Sequence, residues 1–296
     1  MSRSSEETRP AATRACLSDR APAAVFFHCG LERTGSTYLQ KDLFPLLEGI
    51  RFVVTKDYAR LSEETFAEEA LLVSRELNLN ENFDEEIGRF AALFADATPV
   101  VLFRRHDHWI ASQYRRRIRN GFDGPFEELF DLRGDGGILR RDDLRYGRRI
   151  ERLEACFRRP PIVLLHEWLE EDAVAFGQVL AGTLGASLDA RRLSLRRRHA
   201  SSSDAELRAL LKVMKVVDLR RSRRGQGLFR YRVRRFTQDA ARYATLFLAR
   251  SIPGGWVDPV PLIPRERLEE IREYYREDWE QTVAYARDRG AAVGRT

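Results

Sequence analysis

The stretch 25-VFFHCGLERTGSTYLQ-40 constrains the fold more than any other part of the chain. It begins as an apolar run typical of a buried strand, passes Gly30 and Gly35, and enters a segment with helical character. A strand, a glycine-containing loop and a helix in this order predict a phosphate-binding loop, because a helix N-terminus offers N–H groups and a positive dipole end to an anion. A turn that holds no ligand would also fit these residues.

Five short apolar runs alternate with amphipathic segments along the chain. This alternation predicts an α/β fold, a three-layer P-loop-type parallel sheet flanked by helices. The runs are rich in β-branched and aromatic residues, as strands covered on both faces are. The predicted strands are 24–29, 51–55, 70–74, 99–103 and 161–165.

Helix signals follow most of these strands. We expect a helix from Ser36 to about Leu47, with Gly49 as its C-terminal cap. Residues 65–77 carry both helix and strand signals and stay ambiguous. Three further helices are predicted from capping patterns at Asn82 and Ser203 and from a proline start at Pro264: 84–94, 204–214 and one long closing helix over 264–288.

The 296-residue chain shows no internal repeat and no low-complexity linker. We therefore predict a single domain over 23–290, preceded by a flexible tail over 1–22 that lacks the apolar core of a secretory signal. No apolar run approaches the roughly 18–20 residues that a transmembrane helix needs. Three cysteines without metal-like spacing favour a reduced, cytoplasmic protein.

The net charge of +6 and the isoelectric point near 9.4 favour an anionic partner. Only four of the 51 basic residues are lysines, and arginine suits bidentate contact with phosphate or sulfate. An arginine excess can also reflect genomic base composition, so it does not by itself indicate nucleic-acid binding.

The loop departs from that of nucleotide triphosphatases. Those enzymes place a lysine after the second glycine and use a neighbouring hydroxyl to hold Mg²⁺. Here Ser36 stands at the lysine position, and the cation, Arg33, precedes Gly35 by two residues. Hydroxyls at 34, 36 and 37 complete a loop that suits a diphosphate-like anion bound without a metal.

The residues 30-GLERTGSTYLQ-40 resemble the 5′-phosphosulfate loop of sulfotransferases that use 3′-phosphoadenylyl sulfate (PAPS). That pattern runs basic residue, Ser/Thr, Gly, Thr/Ser, Thr, aromatic, and the family usually has lysine where this chain has Arg33. The resemblance implies that Arg33 contacts the transferring sulfate. It also implies that the backbone amides of Thr34 and Gly35 and the hydroxyls of Ser36 and Thr37 bind the 5′-phosphate. The ring of Tyr38 would stack on the adenine.

A second motif strengthens the resemblance. In the same family an arginine that ends a strand and a serine eight residues later bind the 3′-phosphate of the donor. Arg104 and Ser112 have this spacing, and Tyr114 completes the common S-x-Y pattern. Weaker similarity at 166–185 and in the closing helix, which is like that of bacterial carbohydrate-type members, extends the resemblance over about 24–289.

An acceptor hydroxyl needs a general base within hydrogen-bond reach. The family places a His or Glu after the second or third strand. Glu76 and Asp57 stand at such positions and are nearly equal candidates, although each could be a solvated surface carboxylate. His106 is less favoured because it lies within the 3′-phosphate motif.

The run 220-RRSRRGQGLFRYRVRRF-236 holds eight arginines. Arg224-Gly225 loosely resembles a family segment that closes over the 3′-phosphate; a clamp for an acidic acceptor or a solvated basic surface fits equally well.

Taken together, the motifs lead us to expect a PAPS-dependent sulfotransferase without a metal, acting on a hydroxyl or amine, with a glycan or glycoconjugate as the favoured acceptor and no nucleic-acid partner. A P-loop small-molecule kinase with a degenerate loop and an arginine-rich nucleic-acid-binding protein are the alternatives.

Overall fold

A central five-stranded parallel sheet organises the protein. The computed structural model describes residues 22–64, 70–78, 82–193, 202–219, 228–250 and 261–289. The strand order is β3-β4-β1-β5-β6, and a two-stranded antiparallel pair, β2-β7, lies apart from it. The strands are β1 (Val25–Leu31), β2 (Leu47–Glu48), β3 (Ile50–Val54), β4 (Ala70–Leu77), β5 (Thr98–Phe103), β6 (Ile162–Leu165) and β7 (Ser187–Leu188).

The predicted α/β architecture and all five predicted strands are confirmed. The ambiguity at 65–77 is resolved for the described part, since 70–77 forms β4, while 65–69 lie outside the described residues. The β2-β7 pair was not predicted, because two residues per strand are too few to show a period.

Helices connect the strands and flank the sheet. The first begins as α1 (Ser36–Tyr38), continues as a π-helical turn at Leu39–Leu43 and ends as a 3₁₀ turn at Phe44–Leu46. The others are α2 (Tyr58–Glu63), α3 (Phe83–Leu93), α4 (His106–Arg119), α5 (Phe126–Leu129), α6 (Tyr146–Cys156), α7 (His166–Glu171), α8 (Ala173–Thr183), α9 (Asp204–Met214), α10 (Leu228–Arg250), α11 (Arg265–Tyr274) and α12 (Arg276–Arg289).

Three local predictions need correction. Gly49 does not cap the first helix; it has a φ of 84° in the tight turn between β2 and β3. Asn82 precedes α3 as expected, but its side chain accepts a hydrogen bond from the backbone N–H of Asn78 and does not cap the helix. The closing helix is two helices, α11 and α12, which meet at Tyr275, a residue whose ring is buried. The predicted capping box at Ser203 is confirmed.

The core lies on the sheet. Phe27 of β1 stacks on Phe90 of α3 with ring centroids 3.9 Å apart, and the residues of β5 from Pro99 to Phe103 are buried. α12 packs near β6, so the last described element contacts the central sheet.

That the chain forms one domain stays a prediction. Across the described ranges, no helix combines the length and the apolar character needed to cross a membrane.

Candidate functional site

The candidate site lies where parallel strands end at one edge of the sheet. β1 occupies the centre, with β4 and β5 as its neighbours, and the loop of residues 32–35 follows it. Glu76 of β4 is in register with Gly30, Arg104 directly follows β5, and His166 directly follows β6. Ligands of open α/β sheets bind at this edge.

Left-handed backbone and two internal hydrogen bonds shape the loop. Arg33 and Gly35 both have positive φ, 65° and 111°. The hydroxyls of Thr34 and Ser36 both donate to the carbonyl oxygen of Leu31, at 2.8 and 3.0 Å. The Ser36 hydroxyl, which is predicted to bind a phosphate, therefore forms a hydrogen bond within the loop. Donation to a phosphate oxygen would replace its hydrogen bond to Leu31.

Gly30 is required by close packing. A Cβ at this position would lie 2.6 Å from Oγ of Ser36 and 2.7 Å from Cε1 of His28, too close for any larger residue. At Gly35 the positive φ disfavours every L side chain. The two glycines of the motif thus serve different needs, close approach at the first and backbone conformation at the second.

The two motifs meet in space. Nε of Arg33 donates to Oγ of Ser112 at 2.9 Å, and Nη1 of Arg104 donates to the carbonyl oxygen of Arg33 at 3.4 Å. Ser112 is buried on the second turn of α4. Residues separated by more than 70 positions therefore form one polar cluster around the loop.

Positive charge accumulates in this cluster. Burial lowers the pKa of Arg33, and the nearby guanidinium groups of Arg104 and Arg119 lower it further, while Glu76 acts in the opposite direction. Among the described residues, the buried Nε of Arg104 has no hydrogen-bond partner. A cluster of partly desolvated arginines is unfavourable alone and is relieved by an anion.

Neighbouring side chains fix the loop and Arg104 in place. Nε1 of Trp109 donates to the carbonyl oxygen of Glu32 at 2.8 Å, and Arg116 forms an ion pair with the Glu32 carboxylate. The hydroxyl of Tyr146 donates to the carbonyl oxygen of Arg104 at 2.6 Å. The site is thus held by α4 and α6 before any ligand binds.

The two candidate bases have different surroundings. Glu76 lies beside the loop; its burial raises the pKa of the carboxyl group, and Arg33 and Lys41 counteract this rise. The Asp57 side chain accepts a hydrogen bond from the backbone N–H of Arg60 and caps α2. Of the two candidates, Glu76 lies beside the loop, whereas Asp57 serves as a helix cap.

Other predicted residues are placed as follows. Tyr38 and Thr37 lie half-buried on the first helical turn, and burial raises the pKa of the Tyr38 hydroxyl, with Asp42 adding to the effect. The Tyr114 hydroxyl donates to the carbonyl oxygen of Gly124 at 3.1 Å, which is a structural contact. Arg224 and Gly225 lie outside the described residues.

His106, the least favoured base, has a structural position. Its ring is stacked between those of Tyr146 and Tyr275, with centroids 4.1 and 4.2 Å away. Its Nε2 lies 3.0 Å from the carbonyl oxygen of Leu144 and 3.2 Å from the Asp278 carboxylate. An imidazole enclosed in this way does not reach an acceptor.

Sequence reasoning missed His166, Arg119 and Lys41. His166 packs against the loop, since a Cβ at Gly35 would lie 3.1 Å from its Nδ1. Burial lowers the pKa of His166, Arg104 lowers it further, and Glu170 and Glu167 oppose both. The position of His166 directly after a predicted strand was a usable signal; Arg119 and Lys41 carried none, because helix-surface cations are common.

A buried polar group lies beneath the loop. Nδ1 of His28 is 2.7 Å from Oγ of Ser74, which also accepts a hydrogen bond from Nε2 of Gln40 at 2.9 Å. Burial lowers the pKa of His28 to about 3, so the ring is neutral near pH 7. The group links β1, β4 and the first helix under Gly30.

Comparison with solved structures finds sulfotransferases. A sulfotransferase from Alicyclobacillus acidocaldarius is 16% identical, with a TM-score of 0.41 over 75% of this chain and 99% of that one. A mouse sulfotransferase complexed with PAP is 14% identical, with a TM-score of 0.43 over 91% of each chain. A retinol dehydratase in complex with androsterone and inactive cofactor PAP is 12% identical, with a TM-score of 0.36 over 92% of this chain and 82% of that one.

No protein-family model and no curated protein matches the sequence. The first two solved structures belong to the enzyme class that the motifs at 30–40 and 104–114 resemble. Their TM-scores lie below 0.5, so the site residues themselves carry the functional proposal.

Proposed function

We propose that this protein is a sulfotransferase that moves a sulfuryl group from PAPS to a hydroxyl or amine of an acceptor. The observation that carries the proposal is the meeting of Arg33, Arg104 and Ser112 at the loop, through hydrogen bonds of 2.9 and 3.4 Å. A general anion site would need only the loop, whereas the second motif supplies a second set of anion-binding groups beside it.

The residues present fit the donor. Arg104, with its buried and unpartnered Nε, and Ser112 would hold the 3′-phosphate. Oγ of Ser112 accepts the Arg33 N–H, so its own proton stays available for a phosphate oxygen. The 5′-phosphosulfate would lie on the loop, where the amides of Thr34 and Gly35 and the first helical turn favour negative charge.

The donor, once bound, supplies an activated sulfuryl group, and the protein contributes positioning and charge. Arg33 is held by Ser112 and stabilises negative charge that develops on the leaving phosphate. Glu76, opposite Arg33, accepts the proton of the acceptor hydroxyl. Support for a glycan or glycoconjugate as the acceptor comes from the resemblance to carbohydrate-type members.

Binding of the product nucleotide, adenosine 3′,5′-bisphosphate, tests the proposal directly. We expect binding by calorimetry in EDTA, and Arg104→Ala or Ser112→Ala should weaken it about 10- to 100-fold, since charge-assisted hydrogen bonds contribute roughly 1.5–3 kcal/mol. Arg191→Ala is the matched control, because that side chain is 92% exposed and pairs with Asp189 at a distant position.

Two results would overturn the proposal. Undiminished binding by both site variants would remove the site assignment. Preferential binding of ATP that requires Mg²⁺ would instead indicate a kinase.

A further inference from the structure

Helix α10 has two opposite faces with different surroundings. One face is packed on the protein, where Gln238, Arg242, Leu246 and Ala249 are buried. Nη1 of Arg242 donates to the carbonyl oxygens of Asn120, at 2.7 Å, and Leu219, at 3.2 Å. The helix is therefore held in one orientation, and its other face is directed away from the protein.

The outward face carries apolar residues. They are spaced alternately by three and four residues, which aligns them along one side of the helix over four turns. Phe236 and Phe247 are 74% and 69% exposed. Single exposed apolar side chains are ordinary on a protein surface, but a continuous row of them is not. The stripe consists of Val233, Phe236, Ala240, Tyr243 and Phe247.

The charge of the same helix identifies what would cover this stripe. Residues 228–250 contain six arginines and a single acidic residue, Asp239. Arg242 is buried and pairs with Asp239, whereas Arg232 and Arg234 lie at the surface. A second copy of the chain would bring these surface arginines towards the same arginines, which is unfavourable. Anionic lipid headgroups would neutralise them, and exposed aromatic side chains beside arginines are typical of helices that lie in the membrane interface.

The position of the stripe relative to the candidate site fits a surface-bound protein. The Arg119 guanidinium lies over the Tyr243 ring, 6.0 Å from its centroid. Arg119 is also close enough to Arg33 to lower its pKa. The outward face of α10 is thus adjacent to the cationic cluster at the loop.

We propose that the α10 stripe docks the protein on an anionic phospholipid surface, with the helix lying in the plane of the membrane. This inference goes beyond the proposed function and does not depend on it, because the docking surface and the anion site use different residues. The arginines of α10 also agree with a helix that lies on a bilayer and does not cross it.

Flotation with lipid vesicles tests the proposal on the full chain. We expect binding to phosphatidylcholine vesicles that contain phosphatidylglycerol, weak binding to phosphatidylcholine alone, and release by salt. The double variant Phe236→Ser/Phe247→Ser should lower the partition coefficient about tenfold or more, because two aromatic contacts with the bilayer are lost.

A matched control removes exposed apolar residues elsewhere. Val54→Ser/Ile138→Ser changes two side chains that are exposed but not on α10, and it should partition like the unchanged protein. Circular dichroism verifies that both double variants are folded. Activity or nucleotide binding is not the readout, so failure here leaves the proposed function intact.

Three outcomes would overturn the docking proposal. The unchanged protein could fail to bind anionic vesicles, or the α10 variant could bind as well as the control. Sedimentation could instead show a dimer in the absence of lipid that dissociates in the α10 variant, which would identify a second copy as the occupant of the stripe.

Discussion

At the scale of single residues, the proposed reaction depends on Glu76 and Arg33. Burial raises the pKa of the Glu76 carboxyl group, with Arg33 and Lys41 opposing, so its ionisation is shifted to higher pH than that of an ordinary glutamate. A base must be ionised to act. Activity that depends on Glu76 therefore rises as the pH increases through this raised pKa.

The variants Glu76→Gln and Asp57→Asn distinguish the two candidate bases. With PAPS and a glycan acceptor, we expect Glu76→Gln to lower kcat/KM by about 10²- to 10⁴-fold and to remove the acid limb of its pH profile. Asp57→Asn should keep that limb, since its side chain only caps α2. The reverse pattern would transfer the role to Asp57.

Single residues also show what the sequence could and could not predict. Arg104 and Ser112 were identified through the resemblance to a known 3′-phosphate motif, and the loop through its two glycines between a strand and a helix. The internal bond of the Ser36 hydroxyl to Leu31 was not, since a serine in a loop has several partners within reach. Arg119 reaches the cluster only through the placement of α4.

At the scale of elements, Asp278 connects α12 to the first residues of α4 and α6. Its carboxylate accepts hydrogen bonds from the backbone N–H groups of Tyr146 and Gly147, at 2.9 and 3.1 Å, and lies against His106. Burial alone would raise the pKa of Asp278, but these bonds lower it below its ordinary value. The stabilisation is thus present above the ordinary carboxylate pKa and is lost as the pH falls through the lowered one.

The variant Asp278→Asn should lower the free energy of unfolding at pH 7 by about 2–4 kcal/mol, because asparagine lacks the charge and keeps only one of the two oxygens that accept the N–H groups of Tyr146 and Gly147. Urea unfolding measures this change. Asp288→Asn is the control, as it alters an exposed aspartate on the same helix. Equal stabilities of the two variants would show that Asp278 contributes nothing specific.

Elements were predicted best where the pattern was local and repeated. The five strands followed from continuous apolar runs, and the Ser203 box from a four-residue signature. The division of the closing helix at Tyr275 and the π-helical turn at Leu39–Leu43 were not predicted, because the periodicity of apolar residues continues through both segments and does not distinguish these changes in helix geometry.

At the scale of the whole molecule, the buried polar group under the loop makes stability depend on pH. Because burial lowers the pKa of His28 to about 3, the unfolded chain takes up a proton below about pH 6.5 that the folded protein does not. Folding stability therefore falls as the pH is lowered from about 6.5 towards 3.

The variant His28→Gln should reduce this dependence. Between pH 7 and pH 4.5 the unchanged protein is expected to lose about 3 kcal/mol more unfolding free energy than the variant, as each unit of pH between the two pKa values contributes about 1.4 kcal/mol. Urea unfolding at both pH values measures the difference. Identical pH dependence in His28→Gln and the unchanged protein would contradict the prediction.

The central position of β1 has a consequence for how the protein is made. β1 is synthesised before both of the strands that it pairs with, β4 and β5, which end at Leu77 and Phe103. The partners of Arg33, Arg104 and Ser112, come still later. A growing polypeptide therefore contains the loop sequence well before it can form the polar cluster around the loop, which cannot assemble until residues beyond Ser112 have emerged from the ribosome.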